Sequence, residues 1–75
     1  MFSREIFGHR LKNLRQAHDL TQEQLAAEFA VTKQTVSYWE KGDRLPPLNV
    51  ATGLAIYFNV SLDYIVGLSD NKKRR

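Results

Sequence analysis

Apolar residues return along this chain at helical intervals, and polar clusters interrupt them at regular distances. Ile6, Phe7, Leu11, Leu14 and Ala17 predict an amphipathic helix from about Arg4 to His18. Ser3 is placed to cap it, and Phe2 and Phe7 stand at the positions of a hydrophobic staple. Leu25, Ala26 and Phe29 form the stripe of a second helix, from about Gln22 to Phe29, which the Thr21/Gln24 pair can open as a capping box. A third helix is expected over Lys33 to Lys41, between Thr32 as N-cap and Gly42 as the residue after its end. Pro47 suits the first turn of a fourth, which carries Val50, Ala51, Leu54, Ala55 and Phe58. Ser61 caps a short fifth, Leu62 to Val66, and Gly67 stops it. No segment shows the period-two alternation of a half-buried strand, so an all-α fold follows.

Seventy-five residues make one domain, at a size where a single core is marginal. With no cysteine, neither disulfides nor a thiolate metal site support it, and the core must come from helix packing, with dimerisation as a further source of stability. No apolar run approaches the roughly 18–20 residues of a membrane span, and the N-terminus lacks the apolar segment of a signal peptide. A soluble cytoplasmic protein with no membrane partner is expected. The net charge of +3 is unevenly distributed. Residues 1–69 carry equal numbers of basic and acidic side chains, and the excess resides in Lys72, Lys73, Arg74 and Arg75 against Asp70. The basic isoelectric point therefore describes a tail, residues 69–75, expected to be flexible, rather than the folded part.

The second and third helices are separated by about three residues. A connection that short forces the sharp crossing of a helix-turn-helix, where one side chain must be small, and Ala26 is placed for that. Leu25, Phe29, Val31, Val36 and Trp39 are spaced to fill the angle between them.

These residues resemble the Cro/CI-type (XRE-like) helix-turn-helix regulators of phages and bacteria. The likeness lies in "LTQEQLAAEFAVTKQTVSYWEKG", Leu20 to Gly42, followed by "NVSLDYIVG", Asn59 to Gly67. It covers nearly the whole chain, from about Phe7 to Leu68. One departure is Ala30, where the family usually has glycine; that turn residue often adopts the left-handed conformation, which costs a side-chain-bearing residue about 1 kcal/mol or more, so a reshaped turn is expected. The resemblance implies a compact five-helix lambda-repressor-like domain over residues 1–68, with its helix-turn-helix at about 22–41.

The same resemblance implies roles for particular residues. The third helix is expected to enter the major groove of double-stranded DNA, with Lys33, Gln34, Ser37 and Tyr38 facing base edges. Glutamine can pair with adenine N6 and N7, and lysine can donate to guanine O6 and N7. Gln22, Thr32, Thr35, Lys41, the Gly42 amide and Arg44 are the expected phosphate contacts. Arg15 and Glu40 are expected to form a partly buried ion pair that fixes the reading helix without reading anything. Arg10 and Lys12 are secondary candidates for phosphate.

A chemical alternative has little support. His9 and His18 make no metal-binding pattern, no serine has a histidine and carboxylate placed to activate it, and no glycine-rich phosphate loop occurs. No enzyme activity, cofactor or small-molecule ligand is expected. One such domain spans about half a site, so a homodimer on a palindromic operator is implied, with Ile56, Tyr57, Tyr64, Val66 and Leu68 as its surface. The expected function is that of a small phage-like or bacterial transcriptional regulator, a repressor acting by promoter occlusion as a dimer. An activator or controller on the same fold, or an antitoxin- or adaptor-type interaction module, are the alternatives.

Overall fold

The computed structural model describes residues 3–73. Five helices form among them: α1 (Arg4–Ala17), α2 (Gln22–Glu28), α3 (Lys33–Lys41), α4 (Leu48–Tyr57) and α5 (Leu62–Ile65). Four start on hydroxyl caps: the side chains of Ser3, Thr21, Thr32 and Ser61 each accept the amide three residues on. Thr21 and Gln24 close a full capping box, with the Gln24 side chain accepting the Thr21 amide at 2.8 Å. α4 differs, since Pro47 is its cap rather than a residue of its first turn, and offers only its carbonyl to Val50 and Ala51. Phe2, expected in the staple, lies outside the described residues.

Every helix also ends in the same way. The chain turns through one left-handed residue, Asp19, Ala30, Gly42, Asn59 or Gly67, with φ between 54° and 88°. The next amide then bonds back to the carbonyl five residues earlier, as in Val31 to Ala26 at 3.0 Å and Asp43 to Tyr38 at 3.0 Å. This Schellman closure satisfies carbonyls that would otherwise be orphaned. It also makes α1, α2, α4 and α5 one residue shorter than their apolar patterns imply, because His18, Phe29, Phe58 and Val66 are the C-caps. The turn before α3 is not reshaped by alanine: Ala30 takes the left-handed conformation at φ 54°.

All five helices contribute to one core. Phe7, Leu11, Leu25, Val36, Leu54 and Ile65 are fully buried, and Trp39 and Phe58 are nearly so. Each such side chain contributes about 1.5–3 kcal/mol through apolar burial. Ala26 is buried at the α2–α3 crossing, with Phe29 and Val31 packed against the cluster. Ile6 and Ala17 fall outside it, because the buried stripe of α1 narrows to Phe7, Gly8, Leu11 and Leu14. Val66, expected on a dimer surface, is instead core: it closes α5 against the cluster and is 7% exposed. Tyr64 is half-buried on the same cluster, whereas Ile56, Tyr57 and Leu68 remain exposed.

Residues 69–73 do not form the free tail expected of them. Arg10 on α1 donates to the carbonyls of Tyr64 and Ser69, the latter at 2.7 Å, pairs with Asp70 at 2.8 Å, and stacks on the Tyr64 ring. The Ser61 amide donates to the Lys72 carbonyl, and the Ser61 hydroxyl to that of Asn71. The segment is therefore fastened to α1 and to the start of α5. Arg74 and Arg75 lie outside the described residues.

Candidate nucleic-acid interface

The faces of α3 follow from its sequence. At about 100° per residue, Lys33, Gln34, Ser37, Tyr38 and Lys41 fall within an arc of about 140°, opposite Val36 and Trp39. Burial agrees: Val36 and Trp39 enter the core, Lys33, Gln34 and Lys41 are exposed, and Ser37 and Tyr38 are half-buried. The apolar face is the anchor, and the polar face is presented outward as a continuous strip.

Three contacts fix how α3 is held. α1 lies across its C-terminal half, with a tight backbone approach at Gly8. A Cβ at that position would stand 2.5 Å from the Trp39 carbonyl oxygen and 2.6 Å from that of Glu40, so only glycine fits. Further along α1, Arg15 meets Glu40: Nε donates to one carboxylate oxygen at 2.6 Å and Nη2 to the other at 3.1 Å. The third Arg15 nitrogen donates to the Leu20 carbonyl at 2.7 Å, so one guanidinium joins α1, the turn before α2, and α3. Both side chains are largely withdrawn from solvent, at 11% and 4% exposure. Gln22 completes the group, its Nε2 donating to Glu40 at 3.0 Å.

That contact changes the part Gln22 can play. One of its two amide hydrogens is directed into the brace, which leaves the other, with the side-chain oxygen, for an outside partner. Thr32 and Thr35 are tied together at the start of α3, their hydroxyls 2.9 Å apart and the Thr35 amide on the Thr32 oxygen. The expected Gly42 contact is corrected. Its amide donates to the Trp39 and Tyr38 carbonyls, so it has no free N–H to offer a phosphate, and a Cβ there would stand 3.3 Å from the Arg4 carbonyl oxygen. The cause is the Schellman closure of α3, which turns the amides of Gly42, Asp43 and Arg44 back onto the helix.

On the outward strip, Gln34 and Tyr38 are joined, with Nε2 of Gln34 3.0 Å from the phenol oxygen. Arg44, beyond the helix end, lies over the Tyr38 ring at 4.6 Å from its centroid. Lys33 and Lys41 bracket this pair. The arrangement offers amide and hydroxyl groups at the centre and positive charge at the edges. Such a surface suits base edges flanked by phosphates. Arg10, by contrast, is committed to the C-terminal segment. Gly8 and the Arg10 clasp went unnoticed in the sequence, since their partners are backbone atoms far away along the chain. Among the described residues no three His, Cys, Asp or Glu side chains gather as metal ligands, and no helix is long and apolar enough to cross a membrane.

Comparison with known proteins converges on one family. Residues 11–65 match the model described as helix-turn-helix. The chain is 41% identical over 66 residues to the HTH-type transcriptional regulator YobD of Bacillus subtilis, an overlap of 88% of this chain and 59% of that protein. It is 38% identical over 64 residues to the HTH-type transcriptional regulator MJ0272 of Methanocaldococcus jannaschii, covering 85% of this chain and 97% of that one. Among solved structures, the SOS-response transcriptional repressor LexA from Eubacterium rectale matches with a TM-score of 0.79 at 28% identity, over 85% of this chain and 68% of that chain.

Proposed function

The chain belongs to the helix-turn-helix family of DNA-binding transcriptional regulators, and from that premise we propose that it is a sequence-specific repressor. In this reading it binds a palindromic operator as a homodimer, lays α3 of each copy in the major groove, and occludes a promoter. The observation that supports it most is the division of α3: a buried face locked to α1 through Gly8 and Arg15, and an outward strip of Lys33, Gln34, Ser37 and Tyr38. A reading helix needs such rigidity, because a base contact tolerates little misplacement.

Gln22, Thr32, Thr35, Lys41 and Arg44 surround that strip and are proposed to hold the phosphates. The repressor role accords with the name of the LexA neighbour. The dimer surface is proposed to use Ile56, Tyr57 and Leu68, which are 54%, 40% and 55% exposed. Sedimentation over micromolar concentrations tests it: a monomer–dimer equilibrium weakened by Ile56→Asp supports the surface, and an unchanging monomer removes it.

Selection of bound sites from a random duplex pool tests the reading as a whole. Recovery of one palindromic motif, with half-sites about 34 Å apart centre to centre, is the expected result. A pool that shows no enrichment rejects it.

A further inference from the structure

Within the outward strip, one contact has a chemical consequence for base choice. A free glutamine side chain is ambiguous: its amide carries two N–H donors and one oxygen acceptor, and it rotates to suit its partner. It can present oxygen and nitrogen together to adenine, or turn both hydrogens toward the acceptors of guanine. In this structure the Gln34 amide has a partner on its own helix. Its Nε2 donates to the Tyr38 phenol oxygen one helical turn away, at 3.0 Å. Tyr38 is itself held, half-buried on α3, with the Arg44 guanidinium lying on its ring at 4.6 Å.

We infer that Tyr38 is a positioning residue that restricts Gln34 to adenine. This rests on the proposed reading of α3 as the recognition helix. With one N–H committed to the phenol, the amide presents one oxygen acceptor and one remaining N–H donor. That pair matches the N6 donor and N7 acceptor of adenine. Against guanine the oxygen would face O6, acceptor to acceptor, and the second hydrogen that could relieve this is held by the tyrosine. The tyrosine thus acts mainly by rejecting guanine, and Arg44 serves by pinning the ring.

Tyr38→Phe removes only the hydroxyl and keeps the ring under Arg44. The base pair concerned is the one at which Gln34→Ala abolishes preference in the operator selected by the wild-type protein. Fluorescence anisotropy titrations then compare adenine with guanine at that position. In Tyr38→Phe the adenine-over-guanine ratio should fall about threefold to tenfold, the worth of one neutral hydrogen bond, chiefly through tighter binding of the guanine duplex. Preferences at base pairs beyond the reach of Gln34 and Tyr38 should stay as in wild type, a separation that general damage to the domain would not produce. The Gln34→Ala, Tyr38→Phe double variant should show the ratio of Gln34→Ala alone. An unchanged ratio in Tyr38→Phe, or additive losses in the double variant, overturns the inference while leaving the proposed function standing. If Gln34→Ala flattens no base pair, the assigned reading face fails and this inference fails with it.

Discussion

Ala30 stands at φ 54° between α2 and α3, in the same left-handed position that Gly42 and Gly67 occupy at two of the other helix ends. Asp19 and Asn59 fill the remaining two, and short polar side chains tolerate this region. Alanine has neither the freedom of glycine nor a polar group that helps it there. The fold imposes the conformation regardless, because Val31 must turn to reach the Ala26 carbonyl and enter the core angle. Relief of that strain is therefore available: Ala30→Gly should raise the unfolding free energy by about 1 kcal/mol in a urea titration, less the entropy that glycine adds to the unfolded chain. A decrease would mean that the alanine methyl makes a compensating contact.

α1 and α3 are braced against each other at two points. Gly8 lets the two backbones touch, Trp39 is buried in the core, and Arg15 locks the far end through Glu40. Arg15→Ala should lower the unfolding free energy by about 3–5 kcal/mol, because the Glu40 carboxylate is left buried without its partner. Replacing both residues with apolar ones of similar volume should recover much of that loss, and thermal melts of the two variants decide the matter. Element boundaries were largely legible in the sequence because caps are local: Ser3, Thr21, Thr32 and Ser61 each act on an amide three residues away. The Gly8 approach and the Arg10 clasp were not, since each joins residues more than thirty positions apart through backbone atoms that no spacing encodes. The expected Gly42 contact fails for a related reason. Its left-handed turn was legible, but the same closure that favours glycine also consumes its amide.

Across the whole molecule, charge is distributed to suit one face rather than supplied in excess. Arg15 is neutralised by Glu40, and Arg10 by Asp70. Lys33, Lys41 and Arg44 remain around the outward strip of α3, so a fold with no net charge over residues 1–69 can still present a positive rim. With so few cations the proposed phosphate attraction is modest, and Arg44→Ala should weaken binding to every duplex and reduce the salt slope by about one per copy, with a further loss of guanine rejection at the Gln34 base pair, where Arg44 lies on the Tyr38 ring. Specific reading by α3 is measured most directly in a competition titration at physiological salt, in which wild type and Gln34→Ala each bind the selected operator against a scrambled duplex of equal length. Wild type is expected to prefer the operator by at least about 10³-fold, and Gln34→Ala to lose roughly 1–3 kcal/mol of that preference at a single base pair. Equal, weak binding of wild type to both duplexes would contradict the account.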